Sequence, residues 1–103
     1  MTTSDPRKLV FFKKEGCGPC ELALARLQSV LTSNPEFEEH VTILQKENHT
    51  ALVEAYELKM YPTVLILNQE MDEIGRKVGV NTMPEVWWYN ALKTIHVLKE
   101  LNY

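Results

Sequence analysis

The 103-residue chain has only two cysteines, Cys17 and Cys20, too few for the disulfide-dense framework of a small secreted domain. It has no surplus of positive charge: 11 lysines and arginines stand against 14 aspartates and glutamates, a formal net charge of −3. Nucleic acid demands a basic face for its phosphates, so no nucleic-acid partner is expected. No apolar run approaches the roughly 20 residues that span a bilayer, so no membrane partner is expected either. The polar stretch Met1 to Pro6 lacks the basic-then-apolar pattern of an export signal, and a cytoplasmic location is the expectation. His40, His49 and His96 show no ligand spacing, and two cysteines leave a zinc site two ligands short, so no metal is expected. Repeats, low-complexity segments and linkers are absent, and 103 residues with 45% apolar content suffice for one core. Residues 1–103 therefore read as a single domain, expected as a monomer.

The apolar pattern orders the chain as β-α-β-α-β-β-α. Leu9 to Phe12 is a continuous apolar run followed by Lys13 and Lys14, the pattern of a strand buried on both faces. From Cys17 to Ser33 the apolar positions Ala23, Leu24, Leu27, Val30 and Leu31 follow helical spacing until Asn34-Pro35 stops them. The acidic run Glu36 to His40 reads as a solvated loop before a short strand, Val41 to Leu44. Asn48 is expected to cap a helix carrying Leu52, Val53, Tyr56 and Leu58. Val64 to Leu67 is the most strand-like run. After a turn at Asn68 to Asp72, Glu73 to Val78 returns as an edge strand in which Gly75 suggests a bulge or a close approach. Thr82, Pro84 and Glu85 spell a capped helix start with a capping box. The stripe Trp88, Ala91, Leu92, Ile95 and Leu98 carries that helix to about Leu101, with Trp87 to one side at a rim. Strands joined through a helix should be parallel and the last two should form an antiparallel hairpin. The expected fold class is α/β, a mixed four-stranded sheet flanked by helices.

Cys17-Gly18-Pro19-Cys20 is what these elements frame. In a reducing compartment, a cysteine pair two residues apart, after an apolar strand and opening a helix, points to catalysis or metal binding more than to a structural staple. A helix N-terminus favours an anion through its unpaired N–H groups and macrodipole, which makes Cys17 the expected nucleophile. Cys20, one turn in and more buried, should stay protonated until needed. Lys13 or Lys14 is placed to add positive potential, while Glu15 and Glu21 oppose it. Pro19 lacks an N–H, so Gly18-Pro19 withdraws one donor from around the sulfurs and sets their poise.

With Tyr61-Pro62-Thr63 and Lys77-Val78-Gly79, this motif resembles the thioredoxin family over roughly residues 8 to 101. The resemblance implies a compact thioredoxin-like sandwich with strand order 2-1-3-4 and without the family's N-terminal strand and helix. It also implies a cis-proline at Pro62 that packs on the cysteine pair, and a glycine at Gly79 that lets a substrate chain approach. Met60, Tyr61 and Val80, with Pro19, would then form a shallow apolar lip around Cys17, and the backbone of Tyr61 would pair with an extended substrate segment. The implied activity is that of a thiol–disulfide oxidoreductase acting as a protein disulfide reductase: Cys17 attacks, and Cys20 resolves the mixed disulfide. No cofactor is implied beyond the redox-active Cys17–Cys20 pair. Its implied partners are disulfide-containing proteins and an external donor such as a thioredoxin reductase.

Several positions depart from the family pattern. Gly16 stands where a tryptophan is usual, Glu21 where a lysine is, and Ala25 where a kinking proline is. Phe11 and Ile43 occupy the places of a buried aspartate and the lysine facing it. Loss of both is physically consistent, since losing one alone strands a charge; with Gly16, it is expected to leave the dithiol in a drier setting without the usual proton acceptor for Cys20. Two alternatives stay open. One is a glutaredoxin-like reductase fed by glutathione, against which stand the Gly-Pro motif and the separated Gly75 and Gly79. The other is a non-catalytic subunit that uses the fold to grip a larger enzyme.

Overall fold

The computed structural model describes residues 5–101; of the polar N-terminal stretch, Met1 to Ser4 lie outside the described residues. The strands are β1 (Lys8–Lys13), β2 (Val41–Gln45), β3 (Thr63–Leu67) and β4 (Glu73–Val78), and the α-helices are α1 (Gly18–Ser33), α2 (Thr50–Ala55) and α3 (Glu85–Leu101). The sheet has four strands in the order β2-β1-β3-β4, with β1 and β2 parallel and the other two pairings antiparallel. Fold class and strand order are those the sequence led us to expect.

Side chains alternate across a strand, so β1 serves two cores. On one face Leu9 and Phe11 meet Ala23, Leu27 and Val30 of α1 and Trp88, Leu92 and Ile95 of α3. Phe11 meets Trp88 edge-on, with ring centroids 5.8 Å apart. On the other face Val10 and Phe12 join Leu58, Leu65 and Leu67. This double burial is why the run Leu9 to Phe12 has no polar alternation.

Five local expectations are corrected. The acidic stretch is a 3-10 helix, Pro35–His40, with Phe37 and His40 buried, because three residues per turn place these two on one side. Asn48 lies in another short 3-10 turn, Lys46–Asn48, and does not cap α2, whose cap position is His49 without a side-chain bond. α2 ends at Ala55, so Tyr56 and Leu58 pack from the turn beyond it. Thr82 bonds back to the Gly79 carbonyl at 2.8 Å, Glu85 accepts from the Ser29 hydroxyl at 2.9 Å, and no capping box forms. Ile43 does pair in register with Phe11, yet it is 40% exposed while Phe11 is fully buried. β2 is an edge strand with a neighbour on one side only, so its place opposite Phe11 is wet rather than dry. Gly75 marks a bulge as expected: Ile66 pairs with Gly75 and Leu67 with Glu73, which leaves Ile74 without a partner in the register.

Candidate functional site

β1 delivers the chain to the cysteines through one tight turn. Gly16 lies at φ 68°, in the left-handed region that glycine adopts without a Cβ penalty. The carboxylate of Glu47, just beyond β2, accepts the Glu15 N–H at 3.3 and 3.4 Å and pins this turn. Cys17 then occupies the N-cap of α1, with Gly18 and Pro19 exposed in the first turn and Cys20 fully buried. Cys17 is 5% exposed, so of the two cysteines it is the one that solvent reaches. The two are joined as a disulfide, with Cα atoms 5.2 Å apart.

The Cys17 Sγ accepts the Cys20 backbone N–H at 3.1 Å, as an N-cap side chain should. A sulfur in that position receives a hydrogen bond and the positive end of the helix dipole together, and both favour its anionic form. Lys13 contributes less than the sequence suggested, because its ammonium is ion-paired with Glu21 at 3.0 Å. The pair is exposed and straddles the start of α1.

The remaining predicted residues gather at the same end of the sheet. Thr63 pairs with Phe12 on one side and Val78 on the other, which brings Pro62 and Gly79 level with the end of β1. The Tyr61–Pro62 peptide bond is cis, and Pro62 is buried. Its carbonyl accepts the Gly79 N–H at 2.9 Å, and Gly79 sits at φ 89°, where a side chain would be strained. Met60 is 65% exposed, and Val80 is half-buried with its carbonyl held by the Arg26 guanidinium at 3.1 Å. Tyr61 departs from the expected lip: its ring packs on the second-face core, and its hydroxyl is buried without a hydrogen-bond partner. Burial, followed by the nearby Glu47 carboxylate, raises its phenol above the ordinary tyrosine range. The Lys46 ammonium lies 5.5 Å from the ring centroid.

Arg26, Lys46 and Glu47 were not singled out from the sequence. Lys46 and Glu47 follow directly on β2, and a strand parallel to β1 ends where β1 ends, which is the signal that could have placed them. Among the described residues no three His, Cys, Asp or Glu side chains cluster as a metal site, and no helix is long and apolar enough to cross a membrane.

This geometry, a Cys-x-x-Cys disulfide at the start of a long helix that follows the central strand of a mixed sheet, belongs to the thioredoxin fold. The germline-specific thioredoxin Deadhead of Drosophila melanogaster superposes with a TM-score of 0.64 at 19% identity, over 89% of this chain and 84% of that one. The thioredoxin of Trypanosoma brucei brucei gives 0.64 at 19%, over 91% and 78%. Oxidised mitochondrial thioredoxin 3 of Saccharomyces cerevisiae gives 0.62 at 17%, over 88% and 80%. No protein-family model and no curated protein sequence matches the chain. At these identities the likeness is one of fold.

Proposed function

We propose that this protein is a thiol–disulfide oxidoreductase that reduces disulfides in protein substrates. The observation that carries this is the Cys17 sulfur at the N-cap of α1, bonded to the Cys20 N–H, above a fully buried Cys20. In the reduced form, the Cys17 thiolate attacks one sulfur of a substrate disulfide. A mixed disulfide forms and the other substrate sulfur leaves as a thiolate. Cys20 then gives up its proton and attacks the Cys17 sulfur, which releases the second substrate thiolate and closes the Cys17–Cys20 disulfide. Two electrons pass to the substrate, and the protons end on its thiols. Phe11 carries no carboxylate to accept the Cys20 proton, so we assign that role to the departing substrate thiolate or water.

The surface beside the disulfide suits an extended chain. Met60 offers exposed apolar area, Gly79 leaves room for a backbone, and the main chain of Tyr61 is the edge to which a substrate strand would add. The pair returns to the dithiol by exchange with an external donor, a thioredoxin reductase or a similar protein, with no further cofactor. A cytoplasmic setting, which keeps such pairs reduced, fits this cycle.

Insulin reduction with dithiothreitol as donor tests the proposal. The wild type should accelerate precipitation and Cys17→Ser should match the uncatalysed rate; equal rates for the two proteins would contradict it. Replacing dithiothreitol by thioredoxin reductase with NADPH, or by glutathione, identifies the donor, and we expect the former to serve.

A further inference from the structure

At the other end of β1 and β2 lies a second polar cluster that the redox site does not use. His40, the last residue of the Pro35–His40 segment, is 3% exposed, and its Nε2 is 2.9 Å from Nδ1 of His96 on α3. The Nε2 of His96 is 2.8 Å from the Glu100 carboxylate, one turn further along. Both imidazoles lie against Phe37, which is itself buried between the segment and α3.

Hydrogen bookkeeping limits this chain. With both rings neutral, His40 donates through Nε2 to His96, and His96 donates through its own Nε2 to Glu100. One added proton is accommodated: it enters at Nδ1 of His40 while the Nε2 hydrogen passes to Nδ1 of His96, so that His96 donates from both nitrogens and His40 accepts through Nε2. A second added proton sets two N–H groups face to face between two cations, an arrangement no choice of tautomer relieves. We propose that His40, His96 and Glu100 form a proton-counted latch that fastens the Pro35–His40 segment to α3, holds with zero or one added proton, and opens with the second.

Among the described residues that line the cleft beside His40, the one carboxylate is Glu39, already paired with Lys99, and Asn68, Gln69 and Met71 from the turn after β3 do not ionise. From β1, the Lys8 ammonium bonds the Glu39 carbonyl at 3.0 Å, and Arg7 beside it lines the same cleft. From α3 come Tyr89 against Phe37, Lys99 paired with Glu39, and Glu100, which His96 already occupies. The segment's own Glu36 and Glu38 are exposed, and the α1 and β2 residues that line the cleft beside the segment, Gln28, Leu31, Thr32, Val41 and Ile43, do not ionise. Burial first, then His96 and Lys8, hold His40 below the ordinary histidine range. Opening frees Phe37 and loosens Val41, the first residue of an edge strand paired with β1 alone. The cysteines follow the far end of β1, about 16 Å away along strands that rise roughly 3.3 Å per residue, so the opening is local.

Amide hydrogen exchange of the oxidised protein from pH 7.5 to 5.0, corrected for intrinsic rates, tests the latch. Phe37 and Val41, whose N–H groups are held by Asn34 and Glu38 carbonyls, should lose protection about tenfold per pH unit below roughly pH 6.5, while Val64 and Leu65 keep theirs. In His40→Gln or His96→Gln the amide can flip to satisfy any single proton, and the loss should flatten to under about threefold across the range. If His40→Gln does not fold, His96→Gln, at a less buried site, carries the test. Protection that ignores pH, β3 amides that fall in step with the segment, or variants that keep the tenfold slope would each overturn the proposal.

Discussion

The two ends of the β1–β2 pair hold reactive side chains by opposite means. At the cysteine end the partners lie three residues apart, and one helical turn brings them together whatever the rest of the chain does. At the histidine end they lie 56 residues apart and meet only because the 3-10 segment and α3 pack on one another. The first arrangement is local and covalent, and the second is a product of tertiary packing. Chemistry at the cysteine end should therefore survive damage that the histidine end does not, and stability should respond the other way round.

The largest expected effect is on stability. Phe37→Ala removes a buried ring beneath the histidines and should cost roughly 3–5 kcal/mol in urea unfolding. Insulin reduction per folded molecule should stay within about twofold; a collapse of activity in the folded variant would show that the two ends are coupled.

A smaller effect follows from pH. His40 is held below its ordinary value of 6.5, so the unfolded chain binds more protons just below that pH. Stability from this group is fully present above pH 6.5 and declines as pH falls towards the folded-state value. Glu73, held below its ordinary 4.5 chiefly by its hydrogen bond from Arg76, adds a loss only below that pH. The thermal midpoint should thus begin to fall between pH 6.5 and 5 in the wild type and hold steadier there in His40→Gln. A flat wild-type profile to pH 5 would break the contrast.

The smallest effect belongs to the exposed Lys13–Glu21 pair at the cysteine end. Glu21→Gln should change stability by no more than about 1 kcal/mol. By removing a carboxylate near the start of α1 and freeing Lys13, it should shift the pH profile of Cys17 alkylation towards lower pH. A shift to higher pH would mean that Glu21 acts on Cys17 by some route other than charge.

The same contrast explains what the sequence made legible. Element order rests on apolar periodicity, strand order on the family resemblance, and Cys17-Gly18-Pro19-Cys20 on spacing within one turn, so all three could be read from the chain. The segment Glu36 to His40 hid its structure because its charges suggested a solvated loop, although Phe37 and His40 three residues apart are the signature of a 3-10 turn with one buried side. Thr82 misled because Gly79, at positive φ, makes a separate turn whose carbonyl takes the hydroxyl before α3 begins. The exposure of Ile43 follows from β2 being an edge, which is a fact of topology rather than composition. His40 and His96 carried no local sign of each other.

The central claim is that Cys17 attacks and Cys20 resolves. Intact-mass analysis of Cys20→Ser after mixing with an oxidised protein substrate tests it most directly. One substrate chain should remain disulfide-bonded to Cys17, be released by dithiothreitol, and be missing from the Cys17→Ser, Cys20→Ser double variant. An adduct equally abundant in the double variant, or none in Cys20→Ser under conditions where the wild type reduces the substrate, would contradict the account.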